Sequence, residues 1–298
     1  MPAHDSTSGS RSAASRRDTA RAARVAALAR SGRRQRLLKA GAIVVAVVVV
    51  IAVVAVVGLL HRSDTAPTTA ASDPVVAKVT SVPSSTFDKV GTGTVQTRPK
   101  AVSAPALTAD GKPRVVYVGA EYCPYCAAER WAVVAALARF GTFSDLGQTT
   151  SSAEDVFPST PTLSFHGASY TSRYLSFTGT EIESNQRVGN TYAPLDPLST
   201  ADQTLVDTYD TQRYTGASSG SIPFLDLGGR YVAAGASYSP QLLAGLDQQQ
   251  VADQLADPTS RIAEAVDGTA NVITADLCRL TGGKPGAVCT SSSVSAVR

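Results

Sequence analysis

Histidine is scarce in this chain. His4, His61 and His166 are the three in 298 residues, beside four cysteines, one methionine and one tryptophan. A structural zinc site takes four Cys/His-type ligands. Cys123 and Cys126 form one close pair, and Cys278 and Cys289 supply no second one. No metal centre is expected. Basic charge is scarce too, outside one segment. Ten of the 27 Lys/Arg residues fall in residues 1–40, against Asp5 and Asp18. The other 17 face 22 acidic residues. The body of the chain is acidic and lacks the basic stripe of a nucleic-acid-binding surface. No internal repeat is visible.

What is present begins with an uncharged run. Residues 41–60, from Gly41 to Leu60, hold no Asp, Glu, Lys or Arg. As a helix they would extend about 30 Å, the thickness of a bilayer core. A transmembrane helix is expected. A cleaved signal is the rival, because small residues follow at Ala66 to Ser72, and a buried soluble helix is the bland alternative. The arginines ahead of the run place the N-terminus in the cytoplasm and the rest outside it. There all four cysteines would meet conditions in which disulfides persist. The basic tail, residues 1–40, is expected to be largely disordered, with a basic helix lying on anionic lipid as the alternative. Residues 61–74 are a Ser/Thr/Ala/Pro-rich linker, and 75–105 an N-terminal extension packed on the domain. In that extension Val75–Val79 alternates weakly, and a short helix starts near Pro83 and ends at Gly91.

The chemistry sits at Cys123-Pro124-Tyr125-Cys126. A short β-branched run, Val115 to Ala120, precedes it and suits a buried parallel strand. Trp131, Val134, Leu137 and Phe140 then repeat at helical spacing, with Arg130 and Arg139 off that stripe and Gly141 as the stop. Pro124 suits the first helical turn, where its missing N–H costs nothing. A cysteine at a helix N-terminus loses its proton more easily, and the thiolate is what attacks a disulfide. Cys123, at the exposed edge, would be the attacking thiol. Cys126, one turn later and more buried, would resolve the mixed disulfide. A static disulfide, half of a zinc site and two unrelated core cysteines are the competing readings.

Further along, Thr162–Phe165 and Tyr174–Phe177 read as strands, and Leu198–Tyr209 as a helix capped by Ser199 or Thr200. His166 ends a strand with no partner set near it in sequence, so a structural or exposed role is expected. Ser221 to Val232 reads as a hairpin turned at Gly228-Gly229, with Pro223 ahead of its first strand. Ser239-Pro240 opens a helix through Leu242, Leu243 and Leu246, and final helices run through Ile262, Val266, Ile273, Leu277 and Leu280 to Gly282-Gly283.

The segment Ala120-Glu121-Tyr122-Cys123-Pro124-Tyr125-Cys126 resembles the active-site turn of thioredoxin-fold proteins, and its Pro-Tyr dipeptide is the one typical of glutaredoxins. Ile222-Pro223, followed by the Gly-Gly hairpin, resembles the cis-proline loop of that fold, which faces the dithiol and docks the substrate backbone. Residues 106–256 carry this resemblance. More narrowly, residues 75–290, with the Cys-Arg-Leu-Thr-Gly-Gly-Lys-Pro segment near the end, resemble an actinobacterial family of membrane-anchored proteins of unknown function. The fold implied is α/β, a thioredoxin-like central sheet with flanking helices over 106–282, an insertion at about 142–221, and a tail at 283–298.

Three departures stand out. Tyr117 occupies the position where thioredoxins bury a carboxylate. Tyr122 replaces a tryptophan, while Glu121 is retained. The insertion resembles those of extracytoplasmic disulfide oxidases.

The implied activity is disulfide exchange with cysteine-containing extracytoplasmic proteins, recycled by a membrane redox partner, without cofactor. Cys123 and Cys126 would carry it, Pro223 and Ile222 would dock the client, and Pro124, Tyr125, Tyr122 and Glu121 would tune the site. Electron flow in either direction suits the motif. A non-catalytic adaptor whose CxxC braces the helix, or a binding module using the insertion, is the alternative. Cys278 and Cys289 read as a structural disulfide holding the tail, contributing roughly 2–3 kcal/mol through the unfolded state. A relay to the first pair is the sharper alternative.

Overall fold

In the computed structural model, which describes residues 69–70 and 73–297, the apolar run around Val115 becomes the centre of a mixed sheet. The chain opens with β1 (Thr69–Ala70), α1 (Asp73–Thr80), α2 (Ser84–Val90), β2 (Lys100–Ala101), β3 (Thr108–Ala109), β4 (Lys112–Gly119) and α3 (Pro124–Ala138). Seven short strands follow: β5 (Gly141–Ser144), β6 (Gly147–Thr150), β7 (Pro161–Ser164), β8 (Ser169–Ser172), β9 (Ser176–Glu181), β10 (Glu183–Val188) and β11 (Thr191–Pro194). Next come α4 (Thr200–Tyr209), β12 (Phe224–Leu227), β13 (Tyr231–Ala234) and a 3₁₀ turn at Pro240–Leu243. The chain closes with α5 (Gln248–Gln254), α6 (Arg261–Leu280), α7 (Gly286–Cys289) and α8 (Ser292–Val297). The basic tail, the apolar run 41–60 and most of the linker lie outside the described residues. Among the described residues, no helix is long and apolar enough to cross a membrane.

The α/β architecture follows from alternation along β4. Val115 and Tyr117 face the larger core with Trp131, Leu137, Val266 and Ile273, while Val116 and Val118 face the other side with Phe224, Leu205 and Val206. Side chains two apart share a face of a strand, so one apolar strand feeds two helical layers. β4 pairs with β12 antiparallel and with β9 parallel. Both left-handed glycines of the hairpin turn, Gly228 (φ +64°) and Gly229 (φ +67°), carry the two positive angles a tight two-residue turn needs.

Several sequence expectations are corrected here. Val75–Val79 is helical, not extended. Val75 and Val79, four apart on α1, enter the core together. α3 stops at Ala138, so Gly141 is not its stop. Gly141 opens β5, where a Cβ would lie 2.4 Å from the Thr171 carbonyl oxygen, and close strand approach explains the residue. The helix expected to run from Pro240 through Leu246 is one 3₁₀ turn, and Asp247 caps a separate helix, α5, by a reciprocal bond with Gln250. The second strand of the middle segment starts at Ser176 rather than Tyr174. The other insertion strands are mostly short Gly/Ser/Thr-rich pieces whose pairing, not pattern, makes them strands.

Asp267 on α6 is fully buried, and among the described residues neither carboxylate oxygen has a hydrogen-bond partner. Burial pushes its carboxyl up to about 8, against the pull of Arg139. Glu129 on α3, held by Ser237, is pushed up by burial to about 7. Both folded values exceed the unfolded ones, so the folded chain holds protons that the unfolded chain has released. Their contribution to stability therefore falls as pH rises from about 4 through about 8 and levels off above that. Asp267→Asn should remove about 3 kcal/mol of the loss between pH 5 and pH 8. Urea denaturation at the two pH values checks this; an unchanged difference would refute it.

Candidate functional site

Three chain ends meet at the CxxC turn because of strand register. Gly119, the last residue of β4, pairs with Glu181, the last of β9. Val118 pairs with Phe224, the first of β12. The turn leaving β4 therefore sits beside the loop entering β12 and beside the end of the insertion strand β9.

Cys123 is the N-cap of α3, with extended backbone, and Pro124 takes the first helical position. The Cys126 N–H donates to Cys123 Sγ at 3.3 Å, so the sulfur caps the helix. Cys123 Sγ also lies 3.8 Å from the Ile222 carbonyl oxygen. The Ile222-Pro223 bond is cis, and the Pro223 carbonyl accepts from Gly235 N at 2.8 Å. Cys126 is fully buried. Cys123 is only 6% exposed, which corrects the exposed-edge expectation: the Ile222-Pro223 loop packs against its sulfur. Tyr125 is the exposed residue of the tetrapeptide, at 41%, edge-on to Phe157.

The two thiols are driven apart. Hydrogen bonds from the Cys126 side chain and backbone, then Arg130 and the Tyr125 backbone, hold Cys123 below the ordinary thiol range despite burial. Burial pushes Cys126 well above it, and its hydrogen bond to Cys123 adds to the rise. One sulfur is prepared as a thiolate and the other is kept as a thiol.

Two neighbours, Ser164 and Tyr192, come from residues 142–221. Tyr122 stacks on Tyr192 of β11 with ring centres 4.1 Å apart, and burial pushes its phenol up to about 12. Glu121 is buried and accepts from Ser164 Oγ at 2.6 Å. Tyr117 is fully buried below the pair, its hydroxyl 3.4 Å from the Cys126 carbonyl oxygen.

Sequence reasoning missed one component. Arg130, expected off the apolar stripe, is completely buried one turn beyond Cys126. Its Nε and Nη2 donate to Glu181 Oε1 and Oε2 at 2.7 and 2.6 Å, and Nη2 also reaches the Ala120 carbonyl oxygen at 2.7 Å. Burial opposes the guanidinium charge, but Glu181 outweighs it and holds Arg130 protonated. The available signal was the i, i+4 spacing from Cys126 on a helix otherwise mostly apolar.

His166 borders this cluster: its backbone N–H donates to Ser164 Oγ at 3.1 Å, and its partner Asp196 accepts from the Glu181 N–H at 3.4 Å. Its Nδ1 is 2.7 Å from Asp196 Oδ1, a half-exposed pair contributed by the insertion. Cys278 and Cys289 form a disulfide joining the end of α6 to α7. Among the described residues, no three His, Cys, Asp or Glu side chains group as a metal site. A surface cavity of about 480 Å³ lined by Tyr238, Gln241, Arg261 and Glu264 includes no residue of the dithiol turn.

Fold and site together define a mixed α/β protein that carries a vicinal thiol pair at a helix N-terminus, facing a cis-proline loop. Residues 99–279 match the family described as Domain of unknown function (DUF929), and the chain belongs to it. No curated protein and no solved structure matches the chain.

Proposed function

We propose that this protein is a thioredoxin-like thiol–disulfide oxidoreductase, anchored in the cell membrane by residues 41–60 with its α/β domain outside the cytoplasm. The single observation that carries the reading is the Cys123 sulfur. It accepts the Cys126 N–H at a helix N-terminus while lying against the Ile222 carbonyl. In the reducing direction the Cys123 thiolate attacks a client disulfide, forming a Cys123–client disulfide and releasing the other client sulfur as a thiolate. Cys126 then attacks Cys123 Sγ. The Cys123–Cys126 disulfide forms, the client sulfur leaves, and the Cys126 proton ends on it. The client gains two electrons and the protein loses them. Oxidation of a client dithiol is the same sequence reversed. Ile222 and Pro223 would line the client backbone, and a membrane redox partner would restore the starting state.

The low exposure of both thiols favours one alternative, an adaptor in which the CxxC disulfide only braces α3. The reduction potential separates the two. The full-length chain would be equilibrated in glutathione or dithiothreitol buffers, and its alkylated Cys123 and Cys126 counted by mass. A value between about −120 and −270 mV is expected for an exchange site; one below about −300 mV with slow exchange would mean a bracing disulfide and end the enzymatic reading.

A further inference from the structure

The buried Arg130 is expensive to keep. A guanidinium removed from water loses more than a single carboxylate usually returns, and among the described residues the Arg130 Nη1 has no hydrogen-bond partner. A neutral core residue would fill the same space beside Trp131 without that cost. The position suggests why it is there. Arg130 lies four residues after Cys126, hence on the same face of α3, and its Nη2 holds the Ala120 carbonyl that also accepts the Cys123 N–H at 3.2 Å. The ionisable groups whose fields reach the thiols are Tyr117 from β4, Tyr122 from the turn, Glu181 from β9 and Arg130 itself. Glu121 acts on Glu181, and Glu183 on Tyr122. Arg130 is the sole cation in that set, and the residue buried below the pair, Tyr117, is a phenol.

We propose that Arg130 is a positioning residue for the dithiol: clamped by Glu181, it supplies the positive field that stabilises thiolate at Cys123 and, during resolution, at Cys126. This rests on the exchange activity proposed above. In the resolving step Cys126–SH and the Cys123–client disulfide become the Cys123–Cys126 disulfide and client–SH. One S–S bond breaks, one forms, Cys126 is oxidised, and its proton passes to the departing client sulfur. Arg130 gains and loses no proton.

The test is the pH profile of Cys123 alkylation by iodoacetamide in the reduced full-length chain, read by peptide mass, so it needs no client. In the double variant Arg130→Met with Glu181→Leu, both charges are gone and no buried ion is left unpaired. The rate at pH 6 should fall about tenfold, one unit of thiol acidity. The same tenfold change would lower the potential by about 30 mV if carried through to the couple. Glu181→Gln keeps the cation and removes its neutraliser, so the rate at pH 6 should rise. Arg130→Lys should restore most of the native profile. These opposite signs are what a merely structural clamp would not produce. An unchanged profile in the folded double variant, or shifts of the same sign in the double variant and Glu181→Gln, would overturn the proposal. If the double variant fails to fold, the sign of the Glu181→Gln shift decides. Native protein that exchanges no disulfides yet shows the Arg130-dependent profile would refute the activity and leave the field at Cys123 standing.

Discussion

The Cys126→Ser variant should accumulate client proteins covalently joined to Cys123, while Cys123→Ser should capture none. A hydroxyl neither attacks a disulfide at neutral pH nor forms one. Removing the resolving sulfur strands the mixed disulfide, and removing the attacking sulfur prevents its formation. The asymmetry has its physical basis in the two environments. Cys123 caps α3 and receives the Cys126 hydrogen bonds, so its thiolate is stabilised. Cys126 is fully buried and is kept protonated by desolvation. Capture by Cys126→Ser should therefore persist below about pH 8.5, where an ordinary thiol is mostly protonated. The measurement is a non-reducing gel of alkylated whole cells, with reduction releasing the adducts. Equal absence of adducts from both variants would favour the bracing-disulfide alternative, and equal capture would mean that the roles of the two sulfurs are not distinct.

Arg130→Met alone should cost about 3–5 kcal/mol of stability, because it leaves the Glu181 carboxylate buried without its partner. For a domain of this size that lowers the melting temperature by about 6–20 °C. Adding Glu181→Leu should recover most of the loss, since two apolar side chains can replace a buried ion pair at little cost. Each single change also removes a tie between the strand ends and α3, so Glu181→Leu alone should resemble Arg130→Met. Chemical denaturation of the four proteins gives the coupling energy directly. A loss below about 1 kcal/mol in Arg130→Met would mean that water or a rearranged donor reaches Glu181, and that the pair is not sealed. Stability and thiol acidity are separate readouts of one residue: the double variant should be stable yet have a less acidic Cys123.

Much of the site's local chemistry is legible in the amino-acid sequence alone. Pro124 after Cys123 marks a helix start, Ser199 and Ser239 cap the elements that follow them, and Gly228-Gly229 turns a hairpin. These are short-range effects, decided by φ preferences and by side chains reaching a backbone two or three residues away. Some expectations that needed long-range information went astray. Arg130 and Trp131 are neighbours in sequence, and an arginine beside an apolar stripe is ordinarily a solvated residue. Only the arrival of Glu181, fifty-one positions away, makes its burial tolerable. The Gly141 stop failed for the same reason: the strand across from it, not the helix before it, requires the missing Cβ.

By itself the amino-acid sequence determined that two thiols stand one turn apart at a strand-to-helix switch, that a proline-led hairpin follows, and that the domain is α/β. Local backbone preference and apolar periodicity suffice for those. The tertiary structure alone decided that Cys123 is covered rather than open, that Tyr122 stacks on Tyr192, and that a buried Arg130–Glu181 pair lies behind the sulfurs. The reason is register. Gly119 pairs with Glu181 and Val118 with Phe224, so distant segments converge on one turn, and no pattern within any of them specifies which partner it will meet.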